Sequence, residues 1–128
     1  MKEKSLNKKT VERFYAVYAD AWKTRDPAKI VTIFTPDATY SEYFFKKPFV
    51  GTAEIKKYWQ KVIAGDQSDI HFKLLNIYID NQTAIVEWEA DFFNSKEQKR
   101  IHLREVEILE VVGGKIKSLR EYWHSQRI

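Results

Sequence analysis

Four glutamates are the residues of this sequence best suited to acid/base chemistry. They lie on predicted strands that come together in one sheet: Glu42, Glu105, Glu107 and Glu121. If all four line one cavity they cannot all ionise cheaply, because like charges crowded in a low dielectric raise the pKa of at least one carboxyl, often by more than about one unit. Either one carboxyl then stays protonated and acts as an acid, or the cavity recruits a cation against its carboxylates and aromatic walls.

Other kinds of catalytic or metal-binding site have weaker support. The histidines His71, His102 and His124 lie far apart without a paired spacing, so we predict no metal site. Gly113-Gly114 is typical of a turn, since no helix follows it that could hold a phosphate. The sequence has no cysteine, which excludes disulfides and thiolate metal ligands, and we predict no cofactor.

Length and composition indicate a small folded protein. The 128 residues are predicted to form one domain, residues 1–128, with residues 1–6 as a flexible tail. Aromatic residues make up 15% of the chain, which suits a packed core and excludes a disordered protein. No apolar run approaches the roughly 20 residues that span a bilayer, and the N-terminus lacks an apolar signal segment. We therefore predict a cytoplasmic protein with no membrane partner.

The net charge of +4 suits nucleic-acid binding, but the distribution of the charges does not. The cations occur as separated pairs, such as Lys8-Lys9 and Lys46-Lys47, with acids near several of them. A protein that follows a nucleic-acid backbone needs a continuous basic stripe. We predict a solvated surface of mixed charge and no nucleic-acid partner.

Helical periodicity dominates the first half of the chain. Across residues 7–23, apolar residues recur every three or four positions, which predicts a helix with one buried face. Asp26-Pro27 is typical of an N-cap followed by proline in the first turn, and the short helix that begins there should stop before Pro36. Thr52 is predicted to cap a third helix that ends at Gly65.

Strands are predicted in the remaining segments, which are residues 37–45, 70–80, 83–93, 98–112 and 115–124. The last four are joined by short polar connections such as Asn81-Gln82 and Gly113-Gly114, so they should form an antiparallel meander. Helices followed by a long meander predict an α+β fold. Because long strands coil, we expect a cone-shaped α+β roll, in which a strongly curved antiparallel sheet wraps three N-terminal helices around a cavity.

Alternation predicts which strand residues face the core. In the strand 83–93 one face is apolar and should point inward, with Trp88 and Phe92 on it. Alternation likewise places Glu121 inward with Leu119 and Trp123. In the strand 98–112 both faces carry charges, so periodicity does not decide the register.

The order of these elements, with particular residues, resembles the nuclear transport factor 2-like superfamily and, within it, the SnoaL-like proteins. The resemblance covers nearly the whole chain and is carried by four groups of residues: Trp22 with Asp26, Ile33 to Tyr40, Gly51 to Ile55 with Tyr58-Trp59, and Gly114 to Trp123. It implies a curved antiparallel sheet around three helices, with Glu105 and Glu107 facing inward. It also implies a homodimer through the outer sheet face, which would cover Ile85 and Phe93.

The superfamily mixes isomerases, hydrolases, cyclases and binding modules, so the resemblance implies a fold more sharply than a reaction. Ketosteroid isomerases use a carboxylate base with a helix tyrosine and a protonated carboxylic acid as oxyanion donors. These positions resemble Glu42, Tyr18 and Glu107 here, with Glu in place of Asp at both acidic positions. SnoaL-type cyclases use one acid/base carboxylate in a hydrophobic pocket, which resembles Glu121.

Epoxide hydrolases of the superfamily resemble this chain at Tyr40, which would hold a water, and at Glu121, which would protonate the epoxide. Their arginine and aspartate correspond to Trp88 and Ala90 here. The water-activating base and its partner are therefore missing, and we exclude epoxide hydrolysis.

These observations predict a homodimer whose pocket binds a small, largely apolar molecule, with any catalysis being cofactor-free proton transfer of the isomerase or cyclase type. The catalytic candidates are Glu42, Glu121, Glu107, Tyr18 and Tyr40. The predicted ligand-binding residues are Tyr15, Trp22, Trp59, Trp88, Phe92, Leu119 and Trp123.

The alternative is a non-catalytic ligand-binding or protein-interaction module, in which Glu121 forms a salt bridge with Arg104 or Arg120. A cavity of roughly 300 Å³ or more that holds an unpaired carboxylate favours ligand binding. A filled cone in which every glutamate is bonded to arginine or lysine favours the module.

Overall fold

The first two helices begin at residues that cap them. In the computed structural model of the chain, which describes residues 5–128, α1 spans Lys8–Thr24 and the Asn7 side chain accepts a hydrogen bond from the Thr10 backbone N–H. Helix α2 spans Pro27–Ile30, and Asp26 accepts from the N–H groups of Ala28 and Lys29 as predicted. A 3₁₀ turn, Val31–Ile33, then leads into the sheet.

The third helix differs from the prediction at both ends. Helix α3 spans Gly51–Tyr58 and continues through a π-helical turn, Trp59–Ile63, into α4, Ala64–Asp66. Thr52 is not its cap, because the helix begins one residue earlier at Gly51 and the Glu54 carboxylate accepts from the Val50 N–H at 3.0 Å. Gly65 does not end the helix either, since it lies inside α4.

Six strands form one sheet in the order β2-β1-β6-β5-β4-β3. Their bounds are β1 Phe34–Ser41, β2 Phe49–Val50, β3 Gln67–Asp80, β4 Thr83–Asn94, β5 Lys99–Val112 and β6 Lys115–Arg127. The antiparallel meander of the last four strands is confirmed. The sheet is curved and unclosed, and with the helices packed against it the predicted α+β class is confirmed.

Strand β1 is the main departure from the predicted sheet. It pairs parallel with β6, so the sheet is not wholly antiparallel, and it begins at Phe34 and ends at Ser41 instead of covering residues 37–45. Pro36 is tolerated inside the strand because it lies where the pairing with β6 is irregular, between Phe34 and Thr39, so its missing N–H breaks no regular ladder bond.

The core lies between the helices and the concave face of the sheet. Its largest fully buried side chains include Trp59, Trp88 and Tyr40. Leu6, which the sequence placed in a flexible tail, is buried in this core, while residues 1–4 of that predicted tail lie outside the described residues.

None of the helices formed by residues 5–128 combines the length and the apolar character that crossing a membrane requires.

Candidate functional site

Three glutamates lie on the concave face of the sheet, inside the protein. Glu107 on β5 lies directly opposite Glu121 on β6, and Glu105 is two residues from Glu107 on the same face. Their exposed fractions are 4% for Glu105, 0% for Glu107 and 7% for Glu121. The inward register of β5 that the resemblance implied is confirmed.

Three tyrosines donate hydrogen bonds to two of these carboxyl groups. The Tyr15 hydroxyl donates to Glu107 Oε1 at 2.7 Å, and the Tyr40 hydroxyl donates to Glu121 Oε1 at 2.9 Å. Tyr18 lies between them, 3.3 Å from Glu107 Oε2 and 3.2 Å from Glu121 Oε1. A hydroxyl has one proton, so Tyr18 donates to one carboxyl at a time. Burial raises the pKa of all three tyrosines well above the ordinary value, so they remain donors.

No lysine, arginine or histidine among residues 5–128 forms an ion pair with these three glutamates. The predicted alternative, a salt bridge between Glu121 and either Arg104 or Arg120, is wrong. Arg104 pairs with Glu87 and Glu89, and Arg120 pairs with Glu110. These pairs lie on the outer face because successive residues of a strand point to opposite sides of the sheet.

The crowding of the three carboxyls changes their ionisation. Burial raises the pKa of Glu105 well above its ordinary value, and repulsion from Glu107 raises it further. Burial also raises the pKa of Glu121 well above the ordinary range, with repulsion from both other glutamates adding to it. Burial raises the pKa of Glu107, although hydrogen bonds oppose the shift. The cluster therefore retains protons at a pH where exposed glutamates are ionised.

Buried polar atoms near the cluster lack a hydrogen-bond partner among the described residues. One is an acceptor, Glu105 Oε1, and another is a donor, Trp59 Nε1. A buried polar atom without a partner costs free energy that folding does not recover. A ligand with complementary groups would recover it.

A cavity of about 230 Å³ opens beside the cluster. Glu105 and Glu121 form part of its wall, and most of the other lining residues are aromatic or aliphatic. The predicted residues that line it are Tyr18, Trp22, Trp59, Trp88, Phe92, Trp123, Glu42 and Glu121. The volume is smaller than the roughly 300 Å³ set above for ligand binding. Glu105 Oε1 nevertheless lacks a partner, and none of the three buried glutamates is bonded to a basic residue among residues 5–128.

Four predicted residues lie outside the lining of the cavity. Tyr15, Tyr40 and Glu107 are buried behind the wall, where they hold the carboxyl cluster, and Leu119 is buried in the core. Among the carboxyl groups of the wall, that of Glu105 was absent from the catalytic candidates. The sequence could have indicated it, because Glu105 precedes Glu107 by two residues and must share its face of the strand. The hydrophobic periodicity of this strand did not decide which face points inward.

Glu42 lies at the mouth of the cavity, where Trp123 holds it. The Trp123 indole N–H donates to the Glu42 carbonyl oxygen at 2.9 Å, and both residues contribute to the wall. Arg127 also lines the mouth, but its guanidinium is engaged by Glu97 at 3.0 and 2.9 Å. Glu42 and Glu121 therefore face one shared hollow.

The carboxyl cluster is also the group of described residues that could hold a metal ion. Glu105, Glu107 and Glu121 each offer an oxygen within 4.8 Å of the others. Tyrosine donors already occupy both oxygens of Glu107 and Oε1 of Glu121, whereas Oε1 of Glu105 has no partner among the described residues.

Known proteins share both the sequence pattern and the fold. Residues 11–119 match the SnoaL-like domain family. No curated protein matches the chain in sequence. An NTF2-like protein from Anabaena variabilis superimposes with a TM-score of 0.80 at 21% identity, over 92% of this chain and 89% of the other.

Two further structures have the same fold. The epoxide hydrolase/cyclase-like enzyme SalBIII, which has a role in pyran ring formation in the polyether salinomycin, gives a TM-score of 0.79 at 19% identity, over 95% of this chain and 98% of the other. A hypothetical protein with a ketosteroid isomerase-like fold from Catenulispora acidiphila, in complex with trimethylamine, gives 0.75 at 18% identity, over 85% and 83%. At these identities the likeness shows the fold alone.

Proposed function

The chain belongs to the SnoaL-like domain family, and we propose that it binds a small, largely apolar molecule in the aromatic cavity and transfers a proton to or from it without a cofactor. The observation that carries this proposal is that Glu105 Oε1 is buried and has no hydrogen-bond partner among the described residues. Glu105 lies on the wall of the cavity, which Glu121 also lines. A carboxyl kept in such a place at a cost in stability is typical of a functional site.

Glu121 and Glu105 are the acid and base of this proposal. Their crowding leaves one proton shared between neighbouring carboxyls, so one group can donate a proton while another accepts one. Tyr40 and Tyr18 fix the orientation of Glu121 through hydrogen bonds of 2.9 and 3.2 Å. Glu42 at the mouth supplies a third carboxylate for a substrate that extends outward.

Two relatives support small-molecule chemistry in this fold. SalBIII is described as an epoxide hydrolase/cyclase-like enzyme, and the Catenulispora protein forms a complex with trimethylamine. The proposed reaction is closer to isomerisation or cyclisation than to epoxide hydrolysis, because the arginine and aspartate that hydrolysis needs correspond to the buried Trp88 and Ala90.

Deuterium exchange tests the proposed proton transfer without knowledge of the product. Cyclohexanone and methyl phenylacetate are incubated in D₂O with the wild-type protein, Glu121→Gln and the control Glu110→Gln, whose carboxylate pairs with Arg120 outside the cavity. We expect NMR to show exchange α to the carbonyl with the wild type and the control, and its loss with Glu121→Gln. Exchange that Glu121→Gln leaves unchanged would remove Glu121 from the proposal.

We also propose that the protein forms a homodimer through the outer face of the sheet. An apolar row crosses this face, since Tyr78, Ile85 and Ile108 are paired side by side on β3, β4 and β5. Val106 and Tyr122 form a second apolar pair on β5 and β6. Ile85 is 41% exposed and Tyr78 is 60% exposed in the single chain, and a second copy would cover them.

A further inference from the structure

We propose that the ligand of the cavity is a small organic cation, a protonated amine or a quaternary ammonium ion, with its charge against Glu105 and Glu121. This inference rests on the proposed function, because it names the class of ligand for the same cavity. Two observations support the inference: the carboxyl groups of the site lack a basic partner in the described part of the chain, and aromatic residues form much of the cavity wall.

No basic residue among residues 5–128 forms an ion pair with the three carboxyl groups of the site. The arginines nearest along the strands, Arg104 and Arg120, are engaged on the other face of the sheet. Arg127 at the mouth is engaged by both carboxylate oxygens of Glu97. A buried carboxylate is stable only when it is paired with a cation or hydrogen-bonded. The missing partner of Glu105 Oε1 is therefore a cation or a proton.

The wall around the carboxyls favours an organic cation over a metal ion. The ring of Tyr18 lies 5.3 Å from that of Trp59, 5.8 Å from that of Trp88 and 6.2 Å from that of Trp22, measured between centroids. All four residues line the cavity. The faces of aromatic rings attract ammonium groups and tolerate their methyl groups. A hard divalent ion instead needs six or more oxygen ligands, which an aromatic wall does not supply.

The size of the cavity limits the ligand. About 230 Å³ lies below the range of roughly 300–1,000 Å³ that is typical of sites for drug-sized molecules. The cation is therefore small, of the size of a branched alkylammonium ion, unless part of it extends past Glu42 into the solvent.

Binding of such a cation is linked to protonation of the cluster. Because burial and mutual repulsion keep protons on these carboxyls, an entering ammonium group stabilises the ionised form of Glu105 and displaces a proton. The titratable or charged groups that face this position are Glu42, Glu105, Glu107, Glu121, Tyr15, Tyr18, Tyr40, Tyr58 and Arg127. Binding should tighten as pH rises, as long as the amine stays protonated.

A pair of isosteric probes tests this inference by calorimetry on the full chain at about pH 7. The tert-butylammonium ion and tert-butanol have the same shape and differ in charge. We expect the ammonium ion to bind more tightly by roughly tenfold or more, the size of a charge-assisted contact. Glu105→Gln should weaken its binding by a similar factor, while the control Glu110→Gln on the same strand should leave it unchanged.

The possible outcomes separate this inference from the proposed function. Equal or tighter binding of tert-butanol would refute the proposal that the ligand is a cation, but it would still support the binding of a small molecule. Failure of both probes to bind overturns the cation and removes the support for ligand binding as well. If MnCl₂ binds and prevents the ammonium ion from binding, the cavity is a metal site and the proposal of an organic cation is refuted.

A measurement on the wild type covers the case in which Glu105→Gln does not fold. Repeating the titration in buffers of different ionisation enthalpy gives the number of protons released. Release of a proton supports the inference, and binding without proton release contradicts it.

Discussion

Glu107 and Glu121 lie directly opposite each other on neighbouring strands, and the hydroxyl of Tyr18 lies within 3.3 Å of a carboxyl oxygen of each. Two buried carboxylates in this arrangement would repel each other strongly. The shared tyrosine offsets part of the repulsion, and a retained proton offsets more. The helix α1 is thereby joined to the sheet through a polar contact inside the core.

Removal of the shared donor should destabilise the protein. Tyr18→Phe leaves the ring in place but removes the one hydroxyl donor that two buried carboxyls share, and we expect a loss of about 1–3 kcal/mol in the free energy of unfolding. Urea denaturation measures the change. The control is Tyr122→Phe, an exposed tyrosine on the outer face, which should change stability little. Equal effects of the two substitutions would contradict the role given to Tyr18.

The stability of the protein should fall as pH rises from about 5 to about 8. The pKa values of Glu105 and Glu121 in the folded protein lie above those of the unfolded chain, mainly through burial. In this window the unfolded chain releases these protons while the folded protein retains them, so rising pH favours unfolding. Each retained proton contributes up to about 1.4 kcal/mol per pH unit.

Glu105→Gln separates this effect from other titrations. The amide carries no ionisable proton, so the variant should lose stability less steeply than the wild type between about pH 5 and about pH 8. Thermal unfolding across this range measures the slopes. Glu110→Gln, which changes an exposed carboxylate on the same strand, should keep the wild-type slope. A wild-type stability that rises through the window would refute the prediction.

The proposed dimer gives a prediction for the outer face. Ile85→Lys places a charge in the centre of the apolar row and should convert a dimer into a monomer in sedimentation equilibrium at micromolar concentration. Ile79→Lys is the matched control, since Ile79 is 37% exposed and pairs with the inward-facing Ala84 instead. A wild-type protein that sediments as a monomer would remove the dimer.

The start of α2 gives a prediction that is independent of the site. Asp26→Ala removes the acceptor for the N–H groups of Ala28 and Lys29, and we expect it to cost roughly 0.5–2 kcal/mol in the free energy of unfolding. Asp26→Asn retains an acceptor oxygen and should cost much less. Urea denaturation of both variants checks the difference, and two equal losses would argue against the cap.

Local signals in the sequence were sufficient for most of the fold. The turns at Asn81 and at Gly113-Gly114 adopt positive φ angles, and they produced the predicted hairpins because turn chemistry acts over a few residues. The parallel pairing of β1 with β6 depends on contacts between distant segments, which turn signals do not report. The π-helical turn at Trp59–Ile63 was also missed, because the helical spacing of apolar residues runs through it without a break.

The candidate site was predictable in part for similar reasons. Alternation placed Glu121 inward because its neighbours Leu119 and Trp123 are clearly apolar. For β5 the pattern was ambiguous, since the core itself contains charged residues, Glu105 and Glu107, that violate the usual rule for burial. Proteins break the rules of burial mainly at functional sites. The alternation of apolar and polar residues was therefore least informative at the carboxyl cluster.

The pairing of β1 with β6 also implies an order of events in folding. Strands β3 to β6 can pair one after another through short turns, whereas the bond between Tyr40 and Glu121 joins residues 81 positions apart. Closing so long a loop costs more chain entropy than closing a hairpin, so we expect β1 to dock onto a meander that has already formed. During synthesis on the ribosome, the hollow around Glu121 would then be completed only after β6 has emerged.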